Sequence, residues 1–240
     1  MKAPRGRTAA LILGSIAVVV INVALWMSRD WTYETWLIWK LQSSDIEKRR
    51  DAAEELARMR SVRAVPHLLE VIAEAEMPGI EKAISVDELR RLKLDNAEFA
   101  FSAIMTIGRK AWPAIVRGLH HRIVLARMYC AIILREMGPP PGSLPALSEA
   151  ARDPAPLVRQ RSIEALFRLG PAAWPVIAQV LDEDELLREF ILTRVDADFL
   201  ASPEAARVLE KLASEDPDMA AEVEKARSRA AERAERNQRR

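Results

Sequence analysis

The side chains that most often carry out chemistry are few in this sequence, and their spacing assembles no metal site. His120 and His121 are neighbours, so on a helix they point about 100° apart, whereas a helical metal pair needs i,i+4 spacing. His67 stands alone. The acidic run at 182–185 lacks the alternating ligands of a calcium loop and is typical of a helix start. We therefore predict no metal, no cofactor and no small-molecule ligand.

Nucleophilic chemistry has one candidate, Cys130, which is the only cysteine. It lies on the apolar side of a predicted helix, which favours a buried and unreactive thiol. A single cysteine also excludes an internal disulfide and a cysteine metal cluster. The sequence contains neither a Gly-rich phosphate loop nor a Gly-x-Ser-x-Gly elbow. We therefore predict that the protein is not an enzyme.

Composition narrows the class of protein. Basic and acidic residues nearly cancel, at 36 against 35, and this balance argues against a dedicated nucleic-acid binder. Half of the 240 residues are hydrophobic, which is enough to bury a core. Gly is scarce, whereas Ala, Leu, Glu and Arg are abundant, and this mixture favours helices. We expect an all-α protein.

One pattern occurs four times, and two of its copies read Gly-x-x-Ala-Trp-Pro-x-Ile. Trp112 and Trp174 of these two copies are 62 positions apart, which is twice 31. A related string lies half-way between them, and another precedes them. The four strings span 59–72, 108–119, 137–150 and 170–181.

Each string follows a run whose apolar residues recur at three- and four-residue steps, which is helical periodicity. Gly is suited to end that helix in the left-handed conformation, and Pro is suited to open a second helix. The first copy has Arg60 where the Gly would stand. Paired helices at a period of 30–50 residues predict an α-solenoid. Trp112 and Trp174 then begin second helices and pack between adjacent pairs; the alternative is a pair of exposed anchors for a partner.

The repeat resembles HEAT repeats, in particular the short HEAT-like repeats of the PBS-lyase type. The stretch 153–159, DPAPLVR, matches the Asp-Pro-x-x-x-Val-Arg opening of that family, and the Gly and Pro positions complete the match. The resemblance covers 44–182, with a degenerate copy at 183–213. It specifies architecture far more than activity, because these repeats serve many functions.

The resemblance also implies a ladder of arginines between neighbouring repeats. Arg49, Arg127 and Arg159 fall in register across three copies. Ala97 takes that place in the second copy, so the ladder is expected to be interrupted there.

The N-terminal run at 8–27 carries no charge, and a helix of that length spans about 30 Å, the thickness of a bilayer core. Lys2, Arg5 and Arg7 precede it, so the positive-inside rule places the N-terminus in the cytoplasm. We predict an uncleaved anchor rather than a cleaved signal peptide, whose apolar core is shorter. The expected localisation is a bacterial inner membrane, crossed once, with the C-terminal domain in the periplasm.

Aromatic residues follow this run closely, with four of the six tryptophans between 26 and 39. Trp and Tyr favour the headgroup layer of a membrane. The stretch 31–41 is expected either to lie along the membrane as a short helix or to cap the first helix of the repeat domain. The predicted membrane-interface residues are Trp26, Trp31, Tyr33, Trp36 and Trp39.

An insertion at 76–95 lengthens the step between the first two copies. Insertions in repeat proteins map to one face, often the binding face, although a tolerated loop explains this one equally well. The C-terminal end is highly charged and is expected to form a helix that frays. The predicted division is a basic leader at 1–7, a transmembrane anchor at 8–27, an aromatic segment at 28–43, a HEAT-like α-solenoid at 44–213 and a charged helix or tail at 214–240.

The predicted function is a membrane-anchored scaffold that binds a partner protein on the concave face of stacked second helices. The insertion would lie at the rim of that face. The predicted partner-binding residues are Arg63, His67, Arg117, His120 and His121.

Two other functions remain open. Some relatives of this repeat type are lyases that attach bilin chromophores to proteins, and an exposed low-pKa thiol at Cys130 would favour that activity. The other is an adaptor facing the cytoplasm, whose basic tail at 218–240 contacts nucleic acid or lipid.

Overall fold

The computed structural model describes residues 31–75 and 95–238, and in these ranges every regular element is a helix. The all-α prediction is confirmed. The helices are α1 over 31–40, α2 Ile46–Arg58, α3 Val65–Ala73, α4 Asp95–Ile107, α5 Trp112–Gly118, α6 Val124–Met137, α7 Leu144–Ala150, α8 Pro156–Leu169, α9 Trp174–Glu183, α10 Glu185–Leu192, α11 Ala197–Leu200, α12 Pro203–Glu215 and α13 Pro217–Gln238.

The predicted glycine and proline positions end and begin helices, and the helices form pairs. Gly108, Gly138 and Gly170 have φ between 69° and 75°, the left-handed conformation that ends the first helix of each pair. Arg60 stands at the equivalent place in the first pair and adopts the same conformation, with φ of 53°. A left-handed conformation costs a residue with a side chain about 1–2 kcal/mol, so the surrounding turn must compensate for it.

Proline opens the second helix of each pair, at the first or second position of α3, α5, α7 and α9. The missing N–H of proline is no loss there, because the first turn of a helix has no intrahelical acceptor for it. A short 3-10 turn leads into each of these helices. The second helices are therefore α3, α5, α7 and α9, and the first helices before them are α2, α4, α6 and α8.

The first helices pack on one another in chain order, with α2 on α4, α4 on α6, and α6 on α8. Their small and aliphatic side chains form a single buried cluster with those of the second helices. Trp112 and Trp174 are partly buried and pack against this cluster. The α2–α4 contact forms even though the predicted insertion lies between the two helices; residues 76–94 of that insertion lie outside the described residues.

Gly118 sets the distance between three helices. A Cβ at Gly118, in the last turn of α5, would lie 2.5 Å from Cys130 Sγ in α6 and 2.9 Å from Leu69 Cδ1 in α3. Both distances are shorter than van der Waals contact, so only glycine allows α5 to approach α6 and α3 this closely.

The C-terminal helix is part of the packed structure. Val223, Ala226 and Ala230 of α13 are buried, and α13 contacts α10, α11 and α12. The Arg233 Nη2 group also donates a hydrogen bond of 3.1 Å to the Thr193 carbonyl oxygen. The charged segment at 214–240 is thus a docked helix up to Gln238, and its small apolar residues are the ones that pack.

The prediction of a single-pass bacterial inner-membrane protein is corrected by the structure. Among residues 31–75 and 95–238, no helix has both the length and the apolar composition needed to cross a bilayer. The longest helix there, α13, has 22 residues but carries charged side chains along its length. The segment 8–27, on which the prediction rested, lies outside the described residues, as does Trp26.

We expect Gly118→Ala to destabilise the fold by about 1–3 kcal/mol, because the added methyl group would overlap Cys130 Sγ and Leu69 Cδ1. Urea unfolding followed by circular dichroism measures this loss. Gly142→Ala is the matched control, since a Cβ at Gly142 meets nothing within 4 Å, and its effect should stay within about 0.5 kcal/mol. Equal losses in the two variants would show that the close approach at Gly118 does not constrain the packing.

Candidate functional site

The predicted partner-binding residues do not all lie on second helices: His67 is in α3 and Arg117 in α5, whereas Arg63 is in the 3-10 turn before α3 and His120 and His121 are in the turn after α5. The residue four positions after the opening proline is exposed in each of α3, α5, α7 and α9. These equivalent residues define what we name the second-helix face: Glu70, Arg117, Glu149 and Gln179.

The two adjacent histidines contact opposite neighbours along this face. His120 Nδ1 lies 3.8 Å from Glu149 Oε2 of α7, and His121 Nε2 lies 3.3 Å from Glu70 Oε1 of α3. The other ring nitrogen of His121, Nδ1, accepts a hydrogen bond of 3.1 Å from the Ile123 N–H. His121 is therefore engaged on both sides and only 15% exposed, whereas the His120 side chain is 51% exposed.

The remaining three predicted residues also differ in how they are engaged. Arg63 Nη1 lies 2.6 Å from Glu34 Oε2 of α1, and its guanidinium lies over the Trp31 ring, 5.1 Å from the centroid. His67 and Arg117 are exposed and form no hydrogen bond or ion pair with the part of the chain that the structure describes. The polar groups of His67, Arg117 and His120 are thus available on the surface, while Arg63 and His121 link helices.

A second set of charged residues joins successive helix pairs from within. Arg127 of α6 binds Asp153 with two parallel contacts, Nε to Oδ2 at 2.6 Å and Nη2 to Oδ1 at 2.9 Å. Arg127 Nη1 also donates to the His121 carbonyl oxygen at 2.9 Å. Asp153 is buried and accepts a further hydrogen bond from the Ala155 N–H at 2.8 Å. Bidentate contacts of this kind are directional, so they set the register between α6 and the turn before α8.

Arginines at the equivalent position of two other pairs each reach an acid through a single contact. Arg159 Nε of α8 lies 2.8 Å from Asp184 Oδ2, although its N–H does not point along that line, and Arg159 Nη1 donates to the Asp153 carbonyl oxygen at 3.0 Å. Arg49 Nη2 of α2 donates to the Glu74 carboxylate at the end of α3, within the first pair. The ladder that the family resemblance implied at Arg49, Arg127 and Arg159 is therefore present as contacts, each reaching an acid 25 or 26 positions later.

The sequence analysis missed two features of the ladder. It did not identify the acidic partners, although an acid 25 or 26 positions after each in-register arginine is a readable signal. It also missed Arg188 of α10, which continues the register and donates from Nη2 to the Asp182 carbonyl oxygen at 2.8 Å. Ala97, the expected interruption, is buried.

A cluster around Glu164 of α8 was also missed. Arg161 Nη1 lies 2.7 Å from Glu164 Oε2, Arg194 Nη2 lies 3.4 Å from Glu164 Oε1, and Arg135 of α6 binds the same carboxylate. Burial by itself would raise the pKa of Glu164, but the hydrogen bonds and positive charges of Arg161 and Arg135 outweigh it and lower that pKa. The cluster thus holds a charged carboxylate at the junction of α6, α8 and the end of α10.

Cys130 has none of the properties of a catalytic thiol. Its side chain is fully buried, and burial raises the pKa of the thiol above its ordinary range, because a thiolate is poorly solvated there. The exposed low-pKa thiol that would favour a lyase is thus not what the structure shows. In the described residues no three His, Cys, Asp or Glu side chains are placed to hold a metal ion.

The segment 31–41 has a buried aliphatic side and an exposed aromatic side. Leu37, Ile38 and Leu41 of this segment are buried in the core, so the stretch does cover the first helix pairs. The other side of α1 carries the predicted interface residues Trp31, Tyr33, Trp36 and Trp39, all of which are exposed.

Known proteins add no further assignment: neither the protein-family models nor the curated proteins include a match to this chain. The HEAT-like resemblance stays a prediction, carried by the motif residues.

We expect Arg127→Met to destabilise the fold by about 3 kcal/mol or more, because it leaves the buried Asp153 carboxylate without its cation. Chemical denaturation measures the change. Arg122→Met is the matched control, since the Arg122 side chain is 80% exposed and lies 3.8 Å from Glu70; its effect should stay within about 0.5 kcal/mol. A loss below about 1 kcal/mol in Arg127→Met would contradict a stabilising ladder.

The Glu164 cluster predicts a pH dependence of stability. A carboxyl whose pKa is lowered by folding stabilises the protein fully above its unfolded pKa, which is near 4.5, and this contribution disappears as the pH falls through the lower folded value. Glu164→Gln should therefore destabilise the protein at pH 7, and the difference from wild type should shrink as the pH falls below 4.5.

Unfolding free energies of wild type and Glu164→Gln over a pH series test this expectation. Glu185→Gln is the control, because the Glu185 side chain is 85% exposed and should show little difference from wild type at any pH. A Glu164→Gln effect that stays constant down to pH 3 would show that the charge of Glu164 does not stabilise the cluster.

Proposed function

We propose that the chain is an α-solenoid of HEAT-like helix pairs that binds a partner protein along its second-helix face. Two features support the solenoid. Proline opens the second helix of each repeated pair, and arginine–acid contacts link helices at equivalent positions. A stack of such pairs offers an extended surface whose shape is set before any partner arrives. Binding to a preorganised surface loses less conformational entropy than binding to a flexible one.

The observation that carries the proposal is the separation of engaged from free polar groups on the second helices and in the turns beside them. Arg63 and His121 are used to link helices, as their contacts with Glu34 and Glu70 show. His67 and Arg117 form no hydrogen bond or ion pair within the described residues. Both side chains are exposed, as is that of His120. Free donors held on rigid helices are suited to recognise acceptors on another protein.

The charges along the face alternate. Glu70, Arg117 and Glu149 follow one another on successive second helices, so a partner needs the opposite alternation to match them. Such complementarity selects partners, because like charges brought together are repelled. The mechanism is recognition by shape and charge pattern, without a chemical step.

The two other functions raised by the sequence have less support. The buried Cys130 thiol does not meet the condition for a lyase. In α13, Lys225, Arg227 and Arg236 each form an ion pair with a glutamate three or four positions earlier, which leaves less positive charge for nucleic acid or lipid.

A triple variant, His67→Glu, Arg117→Glu and His120→Glu, tests the proposal. We expect it to capture at least about tenfold less partner than wild type, a change of about 1.4 kcal/mol, because three hydrogen-bond donors are replaced by carboxylates. Quantitative mass spectrometry after affinity capture with the full chain measures the difference. The thermal midpoint should stay close to that of wild type, since all three side chains are exposed.

The matched control reverses three charges on first helices, with Lys48→Glu, Arg58→Glu and Arg168→Glu. We expect this variant to capture the partner as wild type does. Equal capture by wild type and by the second-helix variant would refute the assignment of this face.

A further inference from the structure

Trp112 and Trp174 occupy the same place in the repeat, but what lies against them differs. The edge of the Trp174 ring meets Phe199 of α11, with ring centroids 6.3 Å apart and the planes at 85°. Phe199 is fully buried, and its ring also contacts Phe167. Edge-to-face packing of this kind is favourable beyond the area it buries.

At Trp112 the equivalent space is open. A shallow, wide-open cavity of about 430 Å³ lies there, lined by Trp112 and Val116 of α5, by Pro140 of the next turn, and by Arg109 and Lys110. Its volume falls within the range of small-ligand sites, and most of its lining is apolar.

The length of the next turn explains the difference. After Trp174, ten residues at 193–202 join α10 to α12, and these include α11 with Phe199. After Trp112, only the six residues GPPPGS at 138–143 join α6 to α7. This shorter turn contains no aromatic side chain, so within the described residues it supplies no ring to pack against Trp112.

Two positively charged side chains, Arg109 and Lys110, line the cavity. The Arg109 guanidinium lies over the Trp112 ring, 5.3 Å from its centroid, and Lys110 is exposed beside it. Within residues 31–75 and 95–238 neither cation forms an ion pair. The indole N–H of Trp112 is also buried and has no acceptor in those ranges. A buried donor without an acceptor costs free energy.

The residue that fills the equivalent space at Trp174 has acidic neighbours. Phe199 follows Asp196 and Asp198 in the segment DADFL at 196–200. The Asp196 carboxylate accepts a hydrogen bond from the Phe199 N–H at 2.8 Å, which fixes the start of α11 and the direction of the ring. An aromatic residue preceded by acids therefore fits against this tryptophan within the same chain.

We propose that the Trp112 cavity binds an acidic peptide segment of a partner protein and takes up one of its aromatic side chains. The aromatic ring packs against Trp112 as Phe199 packs against Trp174. The carboxylates of the segment pair with Arg109 and Lys110. This inference rests on the proposed function, namely partner binding, and specifies a second contact point and the chemistry of what enters it.

A peptide with the sequence around Phe199 tests the proposal. The probe is the blocked, fluorescently labelled peptide VDADFLA, residues 195–201, and its binding to the full chain is followed by fluorescence anisotropy. We expect a dissociation constant of about 0.1 mM or tighter. Replacing its phenylalanine with alanine, or both aspartates with asparagine, should weaken binding by at least about tenfold, because each change removes one of the two recognised features.

The matching changes in the protein are Arg109→Glu with Lys110→Glu, which alter exposed side chains and should leave the fold intact. This double variant should weaken peptide binding by at least about tenfold, and Trp112→Leu should weaken it similarly. Arg168→Glu, which reverses an exposed charge elsewhere, should have no effect. Absence of binding at millimolar peptide, or binding that neither Arg109→Glu with Lys110→Glu nor the alanine peptide weakens, would overturn the proposal.

Two further measurements separate this inference from other outcomes. The variant His67→Glu, Arg117→Glu and His120→Glu should bind the peptide normally, so a loss of partner capture there concerns the second-helix face alone. Sedimentation of the full chain tests whether a second copy fills the cavity. Self-association that disappears in Arg109→Glu with Lys110→Glu would assign the cavity to another copy of this chain and overturn the assignment to a partner.

Discussion

The buried contact between Arg127 and Asp153 is the constraint on which the described structure depends most. Asp153 lies in the turn between two helix pairs, so the guanidinium of one pair is bound to the start of the next. A buried carboxylate is tolerated only with a well-placed cation and further hydrogen bonds, and here the Ala155 N–H supplies one of them. Because this geometry is narrow, it limits how far adjacent pairs can shift. Arg159 and Asp184 form a single, less well aligned contact one pair later.

The arginine ladder uses some of the charged side chains, and others remain exposed on the surface. Charged groups that hold pairs together are buried or lie in the turns, whereas the second helices also carry exposed groups that form no contact within the described residues. Arg117 is an example: it lies between Glu70 and Glu149 in the row of equivalent positions, and within the described residues it is not paired. A rigid array of this kind can recognise a partner by the pattern of its surface alone, and different proteins can use the same architecture with different side chains.

Equivalent residues have different environments where the sequence departs from the repeat. The turn before α7 is short and rich in proline, and it leaves Trp112 facing a cavity. The longer turn after α10 folds into α11 and covers Trp174 with Phe199. Two residues of the same type at the same repeat position thus have different environments. The cause is the length of a turn in the following pair, which lies about 30 residues away along the chain.

The sequence by itself determined the helix pairs, because proline at a helix start and a left-handed residue at a helix end act through the local backbone. Even Arg60, which is not a glycine, adopts the left-handed conformation at this position. The in-register arginines were also visible in the sequence. Only the tertiary structure decided which polar side chains form contacts between elements: Arg63 and His121 find partners on neighbouring helices, while His67 has none among the residues that the structure describes. That outcome depends on distances between elements far apart in the chain, which local preferences do not encode.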